Sequence, residues 1–320
     1  MIRRRFIAAG AAAAAWAARP ALAQAQQFSI VTGTTGGVYY PLGGAMANIL
    51  SKKVPGWAVT AEATAGSVAN MHMIRDGKAQ MALTQCDTAY DAIKGLDKFV
   101  GKPVESRTLC VVYPNLVHFV TMEGTGINKL SDIKGKRIST SAPVSGSEVM
   151  ALRAMEELGL KIGDIKRERL APAESTNAMK DGKLDGYFFN GGPPVAAITD
   201  LAASQGVKMK LIPTDDLVPA LNKKYGPVFA ASKIKAKAYP GQEADVGVIA
   251  IWNILIVPAS MSDQQAYTII KTLWDSYPDL LATHKAVTDM TPENQKQANS
   301  SVPFHPGAAK FFAEKGIKLA

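Results

Sequence analysis

Arg75-Asp76-Gly77-Lys78, followed by the run Met81-Ala82-Leu83-Thr84 and an amide at Gln85, is matched 105 residues later by Lys180-Asp181-Gly182-Lys183, the run Gly186-Tyr187-Phe188-Phe189 and an amide at Asn190. Each copy reads as a helix stopped at a glycine, then a buried strand with a side-chain amide at its carboxyl end. Working outward, each copy is preceded by a strand, a loop of small polar residues and a helix. In the first half these are a strand at 28–32, a helix at 40–53 with Leu42, Met46, Ile49 and Leu50 on one face, and a strand at 57–63. A helix at 67–76, the strand 81–84 and a helix at 87–94 complete it. In the second half a strand at 137–140 precedes a helix at 147–158 that stops at Gly159. A strand at 166–170, a helix at 174–180 and the strand 186–189 follow. Alternation of this kind predicts an α/β protein with largely parallel sheets, laid out as two similar lobes.

Residues 109–122 hold two strand-like runs broken at Pro114-Asn115. Residues 246–257 (V-G-V-I-A-I-W-N-I-L-I-V) make an apolar run long enough to pass from one lobe to the other. The tail from Met261 reads as helices that cap the first lobe. Lobe 1 is therefore expected at 26–117 plus 250–320 and lobe 2 at 118–249, with two crossover segments as a hinge.

The amino terminus predicts export. Met1-Ile2-Arg3-Arg4-Arg5 is a basic head, residues 7–18 are an apolar run, and Ala21-Leu22-Ala23-Gln24-Ala25 offers cleavage after Ala23 or Ala25. Residues 1–25 thus read as a signal peptide and the periplasm as the destination; the arginines fit a Sec or a twin-arginine leader. The apolar run is shorter than the roughly 20 residues a membrane span requires. The formal net charge is +9, and Arg3, Arg4, Arg5 and Arg19 carry four of those charges away with the leader, leaving +5. The remaining basic residues are dispersed, which argues against a nucleic-acid groove. Cys86 and Cys110 read as two buried free thiols, with a single disulfide between them the alternative in an oxidising compartment, and the four histidines have no metal-ligand spacing.

In open α/β sheets small ligands sit at the carboxyl ends of strands, against helix N-termini. Four loops fall there: 32–40, 65–67, 141–148 and 190–194. All are rich in Gly, Ser, Thr or Asn. Each taken singly is an ordinary turn or N-cap; together they supply backbone N–H groups and hydroxyls to one cleft, which suits a carboxylate with no metal or cofactor. Enzyme motifs are missing. Gly33-x-x-Gly36-Gly37 lacks the dinucleotide spacing, no Gly-Lys pair completes a phosphate loop, no G-x-S-x-G occurs, and Ser131-x-x-Lys134 has no companion motif. In an enzyme reading Glu148 or His118 near the cleft could act as a base, but neither has a visible partner.

Read in order, several short motifs resemble one family. They are Thr32-Gly33-Thr34-Thr35-Gly36-Gly37-Val38-Tyr39-Tyr40 with Gly43-Gly44, Ser67-Val68-Ala69-Asn70 with Gln85-x-Asp87, and Tyr113-Pro114 with His118. Asp132-x-x-Gly135-Lys136-Arg137, Ser145-Gly146-Ser147-Glu148, Asp185-Gly186 with Gly192-x-Pro194, and Pro303-Phe304-His305-Pro306-Gly307-Ala308 follow. The chain resembles the TAXI group of TRAP-transporter solute receptors over essentially its whole mature length. The resemblance implies a two-lobed, type II-like periplasmic-binding-protein fold and a monomer without enzymatic activity. It also implies a small acidic solute, glutamate-like or a dicarboxylate or hydroxy acid, and a TRAP-type integral membrane subunit as partner. A binding protein of an ABC importer or a sensor kinase is the nearest alternative. The expected contacts are Thr35, Gly36, Gly37, Tyr39, Ser67 and Gln85 from lobe 1, and Ser145, Gly146, Ser147, Asn190 and Gly191 from lobe 2. Val144 and Ser141 stand where the family usually has glycine, and both are expected to add bulk beside the solute's carboxylate. No arginine, including Arg75, Arg137 and Arg153, is expected to clamp that carboxylate.

Overall fold

Strands and helices alternate from Gln26 as the hydrophobic periods dictate. The structure, a computed structural model, describes residues 25–320, so the expected leader lies outside the described residues up to Gln24. The first block is β1 (Gln26–Val31), α1 (Tyr39–Lys53), β2 (Trp57–Glu62), α2 (Ser67–Arg75), β3 (Met81–Gln85) and α3 (Cys86–Lys94). The long strand β4 (Ser106–Met122) leads to the second block: β5 (Arg137–Ser139), α4 (Gly146–Glu157), β6 (Lys166–Glu168), α5 (Pro172–Lys180) and β7 (Gly186–Gly191). There follow α6 (Ala196–Ala203), β8 (Met209–Leu211), α7 (Val218–Tyr225), β9 (Ala230–Ile234) and β10 (Val246–Pro258), then the tail helices α8 (Asp263–Asp275), α9 (Tyr277–Thr283) and α10 (Pro306–Glu314).

The repeat is visible in the fold. Ser67 and Pro172 open α2 and α5, and Met81 and Gly186 open β3 and β7, at the same 105-residue offset. Gly77 and Gly182 stop the paired helices at φ +68° and +66°, left-handed values that a residue with a Cβ adopts at a cost.

All ten strands of the described residues belong to one sheet, in the order β2-β1-β3-β10-β4-β7-β5-β6, with β8 paired to β4 and β9 to β10. Within each block the first three strands run parallel, but β10 is antiparallel to β3, β4 and β9, and β4 is antiparallel to β7 and β8. The sheet is therefore mixed rather than largely parallel, because each of the two strands that join the blocks runs against the block it borders, β10 against β3 and β4 against β7. The run at 109–122 is also unbroken. Pro114 lies where β4 has only β10 beside it, since pairing with β7 begins at Leu116, and there a missing N–H can face the unpaired side.

Helices cover both faces. Leu42, Ile198, Ile269 and Phe311 pack in one buried cluster, and Met71, Ala89, Met150 and Leu221 in the other. Cys86 and Cys110 are free and buried, and burial pushes both thiols up to about 12. No helix among the described residues is long and apolar enough to cross a membrane.

Candidate functional site

The carboxyl ends of β1, β3 and β7 and the middle of β4 meet at one partly open cavity of about 40 Å3. A single water needs roughly 10–15 Å3, so this conformation has room for a few water-sized groups. Three helices, α1, α2 and α4, bring two or more N-terminal residues to it, while α3 and α5 add only Gln85 and Pro172. Val38 and Tyr39 open α1, Gly66 and Ser67 open α2, and Ser145, Gly146 and Ser147 open α4; all seven line the cavity. The first N–H groups of a helix have no partner inside it, and each N-terminus favours negative charge by about 0.3–1 kcal/mol. The first turns of α1 and α2 hold no acidic residue to compete. Glu148, in the first turn of α4, accepts from Arg167, Arg169 and the N–H of Val144 instead. No residue lining the cavity carries a charged side chain.

The sequence expected eleven contacts, and eight line the cavity: Gly37, Tyr39, Ser67, Gln85, Ser145, Gly146, Ser147 and Asn190. The other three lie outside it. Thr35 is exposed at the loop tip. Gly36 faces across to Ala173, where an added Cβ would come within 3.2 Å of that residue's Cβ. Gly191 is packed against Val195 and Phe189. The reading of Val144 needs correction as well: its side chain is exposed and does not line the cavity, although its φ of +55° is the conformation a glycine would take. Ser141, at φ +75°, does line it.

Hydrogen bonds fix most of the wall. The Oγ of Ser67 accepts from the N–H of Gln85 at 3.1 Å, and the Oγ of Ser147 accepts from the N–H of Asn190 at 3.0 Å. Ser145 is the N-cap of α4. Its hydroxyl donates to the carbonyl of Ala142 (2.7 Å) and accepts from the N–H of Glu148 (3.0 Å), so its hydrogen is already committed. The blocks touch across the site: Asn190 Nδ2 donates to Gln85 Oε1 at 3.0 Å, and the N–H of Ala69 donates to the carbonyl of Val144 at 3.0 Å. Beyond the cavity, Arg153 of α4 reaches both Asp87 (3.2 Å) and Asp91 of α3, and its guanidinium lies 4.4 Å from the centre of the Tyr225 ring. Arg75 pairs with Asp76 and Arg137 with Asp185.

Sequence reasoning missed Tyr113, Asn115, Pro172 and Phe189, all of which line the cavity. Tyr113 and Asn115 stand on β4, in the middle of a strand rather than in a loop. Their signal was a lone amide in an apolar run, at Asn115 and again at Asn253 of β10. The two amides meet at 2.9 Å. Three side-chain oxygens of the wall, Tyr113 Oη, Asn115 Oδ1 and Asn190 Oδ1, are buried without a hydrogen-bond partner, at a cost of about 1–3 kcal/mol each if left so. Burial raises the pKa of Tyr39 and Tyr113, so both phenols stay neutral.

Neither base of the enzyme reading reaches the cavity. Glu148 is held by its two arginines. His118 is buried between the carbonyl of Leu116 and the hydroxyl of Tyr239, both at 2.8 Å, and burial lowers its pKa to about 4.

Known proteins share this plan. The periplasmic binding protein BugD superposes with a TM-score of 0.55 at 15% identity, over 91% of this chain and 98% of that one. MatC from Rhodopseudomonas palustris, solved with bound malate, superposes with a TM-score of 0.54 at 12% identity, over 90% of this chain and 97% of that one. At such identities the likeness establishes the fold, that of the two-lobed periplasmic binding proteins. Residues 30–316 match the NMT1-like family, and the chain belongs to it.

Proposed function

We propose that the chain is a periplasmic solute-binding receptor of the TAXI group, which encloses a small carboxylate between its lobes and presents it to a TRAP-type membrane subunit. One observation carries the binding reading. Three helix N-termini converge on a cavity that has no charged side chain, and three buried oxygens of its wall have no partner. A carboxylate receiving the backbone N–H groups supplies the missing negative charge, each charge-assisted bond contributing about 1.5–3 kcal/mol. The lobes are 26–117 plus 250–320 and 118–249, and the hinge is the pair β4 and β10. Gly37, Tyr39, Ser67 and Gln85 hold the solute from one side and Gly146, Ser147 and Asn190 from the other. With so small a cavity, the solute enters an open cleft and stabilises the closed form through contacts to both lobes. The motif order set out above supports the TAXI assignment and its TRAP partner, and the leader supports the periplasm.

A thermal-shift screen of carboxylates, followed by small-angle scattering, tests the binding reading. A solute at 100 times its dissociation constant adds about 2.7 kcal/mol, and binding should shrink the radius of gyration without converting the solute. Turnover, or no response to any carboxylate, overturns it. Uptake into proteoliposomes that hold the neighbouring gene's permease tests the partner: uptake without ATP supports the TRAP subunit, and uptake that needs ATP rejects it.

A further inference from the structure

The orientation of one amide on the cavity wall is fixed by a chain of hydrogen bonds that starts at a backbone carbonyl. The carbonyl of Tyr113 can only accept, so the atom of Asn253 that meets it at 3.1 Å is the donating Nδ2. Asn253 therefore turns its Oδ1 the other way, where it accepts from the hydroxyl of Tyr39 and, at 2.9 Å, from Nδ2 of Asn115. Asn115 in turn is left with its Oδ1 free. That oxygen is buried, has no partner, and belongs to a residue of the cavity wall that is 2% exposed. Rotating the amide would set its carbonyl against the Oδ1 of Asn253, two acceptors face to face. Backbone N–H groups ask the solute for an acceptor; Asn115 asks it for a donor.

We infer that Asn115 is a specificity-determining residue that selects carboxylates bearing a hydrogen-bond-donating substituent, an ammonium or a hydroxyl group, over the same acids without one. The inference rests on the carboxylate reading above and narrows it. Tyr113, whose hydroxyl is also unpartnered, donates to whatever acceptor stands beside that substituent. A solute without the donor leaves Asn115 Oδ1 unpaired in a closed, dry site, whereas in the open cleft water satisfies it. The penalty therefore falls on the closed complex alone.

Two matched series test this by calorimetry: propionate, lactate and alanine, and succinate, malate and aspartate. Within each series only one substituent changes, from hydrogen to hydroxyl to ammonium. In the series that fits the cavity, the hydroxy or amino acid should bind about 5- to 150-fold more tightly than its unsubstituted parent, the range expected for one unsatisfied buried acceptor. In Asn115→Leu, with folding checked by circular dichroism and melting, that preference should collapse to within about twofold. Equal binding of the unsubstituted acids to the wild-type protein overturns the inference and leaves the carboxylate reading standing. A preference that survives Asn115→Leu overturns the assignment to Asn115. Should that variant fail to fold, Asn115→Ser shortens the acceptor's reach, and the same ratio is read on it. If no carboxylate of these series or of the thermal-shift screen binds, both readings fall.

Discussion

Asn190 donates to Gln85 across the cavity at 3.0 Å, and the two residues stand 105 apart, the offset that relates α2 to α5 and β3 to β7. The equivalent ends of two repeated strands thus touch each other, each amide presented from the carboxyl end of its own block. Both backbones are held there by a serine at a helix N-terminus, Ser67 for Gln85 and Ser147 for Asn190. In the proposed closing of the lobes, this bond between the halves would form only when they come together.

Gln85→Ala and Asn190→Ala should each weaken solute binding, and the double variant should lose less than the sum. The shortfall should be about 0.5–1.5 kcal/mol, the net contribution of one hydrogen bond. Calorimetry on the four proteins decides it. Strictly additive losses would mean that the two amides do not cooperate in the closed state.

The two serines of α4 should separate into different roles. Ser145 spends its hydroxyl on capping, so Ser145→Ala should lower unfolding stability by about 1 kcal/mol and change solute affinity little. The Oγ of Ser147 supports the N–H of Asn190 and lines the cavity. Ser147→Ala should weaken binding by about 1–3 kcal/mol. Denaturant titration beside calorimetry checks both, and equal effects on affinity would refute the division.

Much of this was legible because the signals were local. The glycine stops at Gly77 and Gly182, the period of α1 and the small polar loops each follow from a few adjacent residues. What the sequence hid was long-range. Pro114 reads as a break, yet pairing on only one side of β4 lets the strand run through it. Tyr113 and Asn115 reach the cavity because β4 crosses behind it, and only the fold brings Asn115 to Asn253. Val144 was misplaced because spacing shows that a residue is in a loop, not which way its side chain leaves it.

Arg153 shows the same limit. Its position inside α4 keeps it off the cavity, but α3 of the first block brings Asp87 and Asp91 to it, and all three are buried. Arg153→Ala leaves two buried carboxylates without their cation, a change that costs about 3–5 kcal/mol in such settings. Solute affinity should fall because the closed form is penalised, while the ranking of solutes should stay the same, since no solute contact is lost. A changed ranking would place Arg153 in the binding site.

The pH dependence of stability should show two buried groups working against each other. Burial lowers the pKa of His118 from its ordinary 6.5 to about 4. Between those values the unfolded chain binds a proton that the folded one does not, so this group makes stability rise with pH from about 4 to 6.5. Asp91 acts with the opposite sign. Burial raises its carboxyl from 3.8 to about 6, even with Arg153 beside it. Between 3.8 and 6 the folded protein holds the extra proton, so this group makes stability fall as pH rises, and its ionised form is fully penalised above pH 6. Over pH 4–6 the two slopes largely cancel. Asp91→Asn removes one of them, and the variant should lose stability on acidification more steeply than the wild-type protein over that range. Asp87, whose carboxyl burial also raises, adds to the Asp91 side and remains in both proteins. Denaturant midpoints at half-unit steps from pH 4 to 7 measure the difference. Parallel curves would show that Asp91 keeps an ordinary pKa in the folded state, and that Arg153 offsets its burial completely.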